Sequence, residues 1–127
     1  MEAARRAVGV LTMSFWKSNL SLLQGENVLW ERGAARSIGK ATVGGTLYVT
    51  TARVLFAPNK LNVRRRPVWE TERHNVVSVT DESPRLEAFS GGVRRRLRLV
   101  VSGADDQLFV VNRIEQAIEE LRPLLED

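Results

Sequence analysis

The sequence predicts a mainly β domain, α+β by strict count: a bent seven-stranded antiparallel sheet or barrel, capped by one C-terminal α-helix. Three observations lead there. Apolar and polar residues alternate through much of the stretch from Val28 to Val111, the period of a sheet with one dry and one wet face. Glycine, proline and polar clusters cut that alternation into short runs, as the turns of an antiparallel sheet do. After Asn112 the beat lengthens, and Ile114, Ile118, Leu121 and Leu125 recur at helical spacing.

The first strand is expected at about residues 27–32, with Val28 and Trp30 on one face, and a bend or bulge beyond Gly33. The second runs from Gly45 to Thr50 and the third from Arg53 to Ala57, so only Thr51 and Ala52 separate them. That gap fits a tight hairpin although the pair lacks the Asn-Gly chemistry such turns favour. Pro67 has no amide to give a ladder and suits a strand start, which places the fourth strand at 68–72. Val77 and Val79 mark a fifth, prolonged toward Arg85–Phe89. The sixth alternates most clearly, with Val93, Leu97, Leu99 and Val101 on one face and Arg94, Arg96 and Arg98 on the other. Leu108 to Val111 form the seventh.

Asn112 followed by Glu115 reads as a variant capping box. In the helix that follows, Glu115, Glu119 and Glu120 are expected to face water. Pro123 removes one helical hydrogen bond, so the last turn is expected to kink or fray.

Length and composition set the function classes. With 127 residues the chain suits one core, and 43% hydrophobic against 27% charged residues keeps it out of the disordered regime. It has no cysteine and one histidine, His74, which leaves no thiol nucleophile, no disulfide and no multi-histidine or thiolate metal site. No cofactor and no metal are expected, and the cytoplasm is the expected compartment. The net charge of +4 is uneven: residues 112–127 carry −3 and the rest +7. Sixteen of the nineteen basic residues are arginine, which suits forked contacts to phosphate or carboxylate and equally suits a coding bias.

Residues 1–24 read as an N-terminal extension to a domain over 25–127. Arg5 and Arg6 precede the run AVGVLTMSFW. A signal peptide fits poorly, because Thr12 and Ser14 dilute the run, Glu2 sits in the leader and no small-residue cleavage pattern follows. Val8, Leu11, Phe15 and Trp16 can share one helical face, giving a short amphipathic segment that docks on the domain, a partner or a lipid surface.

The order of elements, together with GTLYVTTARVLF at residues 45–56, resembles the GRAM domain family of the pleckstrin-homology (PH)-like superfold. Leu23, Gly25 and Glu26 before the first strand, the Val76-Val77-Ser78-Val79 run and the strand holding Phe109 extend the match to roughly residues 20–126. The resemblance implies a scaffold for lipid headgroups or proteins. Phosphoinositide-binding PH domains carry basic residues from the first strand into the second. Here Arg32, Arg36 and Lys40 precede a second strand, TLYVT, with none, so recognition of a particular headgroup is not implied. The motif residues also have plain physical roles. Gly45 permits close packing, Tyr48 is placed to put a hydroxyl at the rim, and Arg53 is placed to anchor a carbonyl or carboxylate.

Two arginine clusters are the candidate anion-binding site: Lys60 with Arg64, Arg65 and Arg66 between strands three and four, and Arg94, Arg95 and Arg96 with Arg98 climbing from the Gly91-Gly92 turn into strand six. Guanidinium groups fork onto phosphate oxygens, and basic clusters are drawn to anionic membranes. A solvated charge run or a guard against edge-to-edge aggregation explains the same residues. The functional expectation is a non-catalytic binding module contacting anionic lipid headgroups at a membrane surface; the alternative is a protein adaptor. Nucleic acid is the weaker reading, because Trp30, Phe56, Phe89 and Phe109 fall in strands where core packing claims them, leaving Trp16, Trp69 and Tyr48 as platforms. Catalysis is weaker still. His74 has no activated serine or cysteine beside it, and Asp81-Glu82 and Asp105-Asp106 read as turn residues.

Overall fold

A computed structural model of the chain describes residues 21–59, 68–82 and 95–126. The elements are β1 (Val28–Ile38), β2 (Ala41–Thr50), β3 (Arg53–Pro58), β4 (Trp69–Glu72), a 3₁₀ turn (Arg73–Asn75), β5 (Val76–Glu82), β6 (Arg96–Val101), β7 (Gln107–Val110) and α1 (Ile114–Leu125). They form one seven-stranded sheet in the order β4-β3-β2-β1-β7-β6-β5, with every described pairing antiparallel. The expected architecture of seven strands and a terminal helix is the observed one.

β1 and β2 are longer than expected. β1 continues past Gly33 to Ile38, and Ile38 pairs with Ala41 across a turn of Gly39 and Lys40. Gly39 has φ +61° while Lys40 is not in the positive-φ region, the pattern of a type II′ hairpin with glycine first. Two strands that look separate around small residues are therefore one long hairpin arm.

The Thr51–Ala52 hairpin forms as expected, and Thr50 supplies the missing turn chemistry. Its hydroxyl oxygen accepts the amide hydrogens of Ala52 (3.1 Å) and Arg53 (3.0 Å), a side-chain turn in place of an Asn-Gly pair. Leu47 and Val49 lie opposite Phe56 and Val54, and all four are buried in the main core with Leu97, Leu99, Phe109 and Leu121. The ring centroids of Phe56 and Phe109 are 5.6 Å apart and those of Trp69 and Phe109 6.2 Å. Gly45 is obligatory here. An added Cβ would stand 2.3 Å from the Ala57 carbonyl oxygen and 2.8 Å from the Pro58 Cα.

β5 differs in detail. Its register against β6 shifts between Val76 and Ser78, so Val76 and Val79 are both buried while Val77 is 53% exposed. A bulge adds one residue and reverses the alternation. Asp81 and Glu82 lie within β5, opposite Leu97 and Arg96, not in a turn. The prolongation toward 85–89 lies outside the described residues, as do Pro67 and Val93.

The helix caps the core with Ala117, Ile118, Leu121 and Leu125. Its N-cap is Arg113, in the left-handed region (φ 54°, ψ 56°) with no side-chain cap bond, so the expected Asn112 capping box is not formed. Glu120 is also not a purely wet residue. Its Oε1 accepts from Trp30 Nε1 at 2.8 Å and from Arg32 Nη2 at 3.1 Å, tying α1 to β1. Pro123 sits inside the helix, which runs on to Leu125. Contacts to the sheet hold that last turn: Arg73 donates to the Leu124 carbonyl at 3.2 Å, Arg122 Nε to the Val79 carbonyl at 3.1 Å, and the Val79 amide to the Glu126 carboxylate at 2.7 Å. β5 is an end strand of the sheet, and these two side chains occupy backbone groups at its open edge.

Candidate functional site

The three described members of the candidate site, Arg95, Arg96 and Arg98, are occupied by their own protein. Arg95 lies just before β6, with Nε 2.9 Å from Asp81 Oδ2 and Nη1 3.1 Å from Glu115 Oε2 at the start of α1. These carboxylates hold the Arg95 guanidinium pKa above its ordinary value, the Asp81 hydrogen bond contributing most. Arg96 bonds Glu82 across the ladder. Arg98 Nε is 3.0 Å from Asp106 Oδ2 across the β6–β7 turn. Lys60, Arg64, Arg65, Arg66 and Arg94 lie outside the described residues.

Other arginines follow the same habit. Arg32 donates to the Asn112 carbonyl and to Glu120. Arg36 donates to the Gln107 side chain at 3.0 Å and stands 5.7 Å over the Trp69 ring, and burial lowers its pKa. Trp69, a candidate platform for bases, packs instead against the main core.

Arg53 is the most committed. Its Nε and Nη2 reach Glu26 at 2.7 and 3.0 Å, its Nη1 reaches Glu70 at 2.7 Å, and Nη2 also reaches the Ser21 carbonyl at 2.8 Å. Glu26 is buried and also accepts the Leu23 amide at 2.8 Å and the Thr50 hydroxyl. Burial alone would raise the Glu26 carboxyl pKa. The hydrogen bonds from Arg53, Leu23 and Thr50, with the Arg53 charge, outweigh it, and the net shift is downward. Arg53 is raised in turn, chiefly by its hydrogen bond to Glu26. The expected anchoring role of Arg53 is thus observed, and it fixes the segment before β1 to the β2–β3 turn.

The strand order separates the points where the two connections leave the sheet. The 60–67 connection leaves from Asn59, whose amide donates to the Gly44 carbonyl at 3.0 Å; the 83–94 connection leaves from the end of β5. Between β3 and β5 stand β2, β1, β7 and β6, so the two loop bases are about 24 Å apart measured along the sheet. The β1–β2 hairpin overshoots β3. Its last ladder partner there is Gly45, opposite Pro58, and the arm continues to the exposed tip at Gly39 and Lys40, roughly 15 Å further. Lys40 has no ion pair among the described residues.

His74 is exposed, with Nε2 3.1 Å from Glu72. It borders an open groove of about 770 Å³ that also includes Arg53, Glu70 and Glu72. A shallow cleft of about 580 Å³ lies between Arg95 and the first turn of α1, lined by Val111, Arg113 and Ile114. Among the described residues no group of three His, Cys, Asp or Glu side chains is placed to hold a metal ion. No described helix is long and apolar enough to cross a membrane.

No protein-family model matches the sequence, and no curated protein sequence is similar to it. Solved structures are similar. The N-terminal PH domain of Vps36 superposes with a TM-score of 0.57 at 14% identity, over 91% of this chain and 92% of that one. The fold is PH-like. The C-terminal domain of an unknown protein from Leishmania infantum matches with a TM-score of 0.61 at 17% identity, over 80% of this chain and 85% of that one. At such identities the PH-like likeness concerns the course of the backbone, and the candidate site rests on the geometry above.

Proposed function

We propose that this chain is a non-catalytic, GRAM-type PH-like binding module that meets anionic lipid headgroups through one flank of its sheet. The flank combines the β1–β2 tip at Lys40 with the β3–β4 loop carrying Lys60, Arg64, Arg65 and Arg66. The observation behind this reading is the overshoot of the β1–β2 arm, which carries an exposed lysine past the departure of that loop in the direction in which β3 ends, roughly 15 Å on. Arg95, Arg96 and Arg98 contribute less, since each would have to leave a carboxylate first.

Basic side chains near an anionic membrane gain about 1 kcal/mol each. Five of them supply at most about 5 kcal/mol, a dissociation constant in the high micromolar to millimolar range. The attachment is therefore peripheral, salt-sensitive and selective for charge over headgroup identity. Co-sedimentation with vesicles tests it: binding to phosphatidylserine-containing vesicles, none to phosphatidylcholine alone, and release as salt is raised. Replacing Arg64, Arg65 and Arg66 with glutamate abolishes that binding. Equal partitioning onto neutral and anionic vesicles at low salt defeats the lipid reading and leaves the protein adaptor.

A further inference from the structure

β2 and β3 are buried on both faces. Their inward side chains fill the main core, and an antiparallel sheet with one packed face normally wets the other. Here the outward residues are as dry as the inward ones: Thr46 is 3% exposed, Tyr48 1%, Leu55 2% and Ala57 1%. Tyr48 therefore does not reach the rim as its place in the motif suggests. Among the described residues the apolar cover over this strip is Leu22, with half-buried Val28 beside it. From Thr46 to Thr50 the strip is about 13 Å long, more than one leucine side chain spans.

We propose that the occupant of this strip is the chain's own N-terminal segment, residues 1–20. The described chain begins at its margin. Arg53 holds the Ser21 carbonyl and Glu26 the Leu23 amide, so Leu22 is seated on the strip and the preceding residues start beside it. The spacing of its apolar residues matches in size, since a helix would put Val8, Leu11, Phe15 and Trp16 on one face and nine helical residues span about 13 Å. Charge agrees as well. The strip is bordered by exposed Glu31, opposite Tyr48, while the segment bears Arg5, Arg6 and Lys17 against Glu2. The consequence is that residues 1–20 belong to the fold and are not a free membrane or partner ligand, and the domain starts well before Gly25.

The absence of cysteine makes the test direct. A nitroxide on Ser14→Cys in the full chain is expected to broaden the amide signals of Thr46, Tyr48, Leu55 and Ala57 and to spare Val79 and Leu99. Uniform broadening, or none in the strip, overturns the assignment. So does equal broadening when isotope-labelled chain without nitroxide is mixed with unlabelled nitroxide chain, which would put a second copy in the strip. In the paired variant Leu11→Asp with Phe15→Asp, binding of a hydrophobic dye should rise several-fold and exchange of the Tyr48 and Leu55 amides should accelerate. Unchanged dye binding and exchange would also overturn it.

Discussion

Replacing Arg53 with alanine is the sharpest probe of how this domain is held together. The Glu26 side chain is 2% exposed and that of Arg53 14%, so the substitution leaves a carboxylate buried without its counter-charge. Removing one partner of a buried pair costs about 3–5 kcal/mol. Glu26 keeps the Leu23 amide and the Thr50 hydroxyl, which places the expected loss near the lower bound, about 3 kcal/mol. That is a large share of the 5–15 kcal/mol typical of a domain.

The same substitution changes a pH dependence. In the native chain the folded carboxyl pKa of Glu26 lies below its ordinary value of 4.5. Its contribution is therefore full above the unfolded value and fades as pH falls through the folded one. Without Arg53 the hydrogen bond and the charge that hold the folded value down are lost, and it moves up. The variant then loses less on protonation than the native chain does, and its deficit shrinks as the pH falls. Urea unfolding followed by circular dichroism at pH 7 and pH 4 measures both effects. A deficit under about 1 kcal/mol at pH 7, or the same deficit at both pH values, would refute the reasoning, since a buried charge pair predicts neither.

Other substitutions test separate parts of the fold. Gly45→Ala drives a Cβ against the backbone of β3 and should cost about 3 kcal/mol in urea unfolding, whereas Gly33→Ala, whose nearest contact is 4.0 Å away, should stay within roughly 0.5 kcal/mol. Glu126→Ala removes the acceptor of the Val79 amide. A hydrogen bond to a charged group is worth about 1.5 kcal/mol, so exchange of that amide should accelerate roughly tenfold, and an unchanged rate would mean that the helix end does not guard the β5 edge.

The fold was legible where local period and tertiary burial agree. Leu97, Leu99 and Val101 alternate inward as read, and Ile118, Leu121 and Leu125 form the helical stripe. The misses share a cause. The outer half of the β1–β2 hairpin opens with Gly33, Ala34 and Ala35 opposite Thr46, Gly45 and Gly44, mostly residues without the bulk that makes alternation visible, although the Gly39-Lys40 pair does carry a turn signal. Val77 defeats a period-two reading because the bulge spends one residue. Tyr48 and Leu55 stand where a sheet wet on one side would expose them, and their burial depends on what lies over the strip. The Arg53 network was half legible. A motif arginine after a turn suggests an anchor, but Glu26 and Glu70 come from segments 27 residues before it and 17 after it, a proximity only the register creates.

Arginine clusters are ambiguous in sequence for a reason the ladder makes concrete. A strand residue has a cross-strand neighbour at about 5 Å, so a carboxylate opposite it claims the guanidinium: Arg96 faces Glu82 in register, and Arg98 meets Asp106 across the next turn. Outside the ladder no register fixes such a neighbour, although Arg95, just before β6, still finds Asp81 and Glu115. The two clusters should therefore fail in opposite ways. Arg96→Glu with Arg98→Glu places like charges beside Glu82 and Asp106 and should lower the unfolding midpoint by the equivalent of about 1 kcal/mol, while vesicle binding persists. Arg64, Arg65 and Arg66 changed to glutamate should leave the midpoint alone and remove vesicle binding. If instead the strand variant loses vesicle binding at unchanged stability, the ion pairs open at the membrane, and the lipid-facing flank is the one built on β5 and β6.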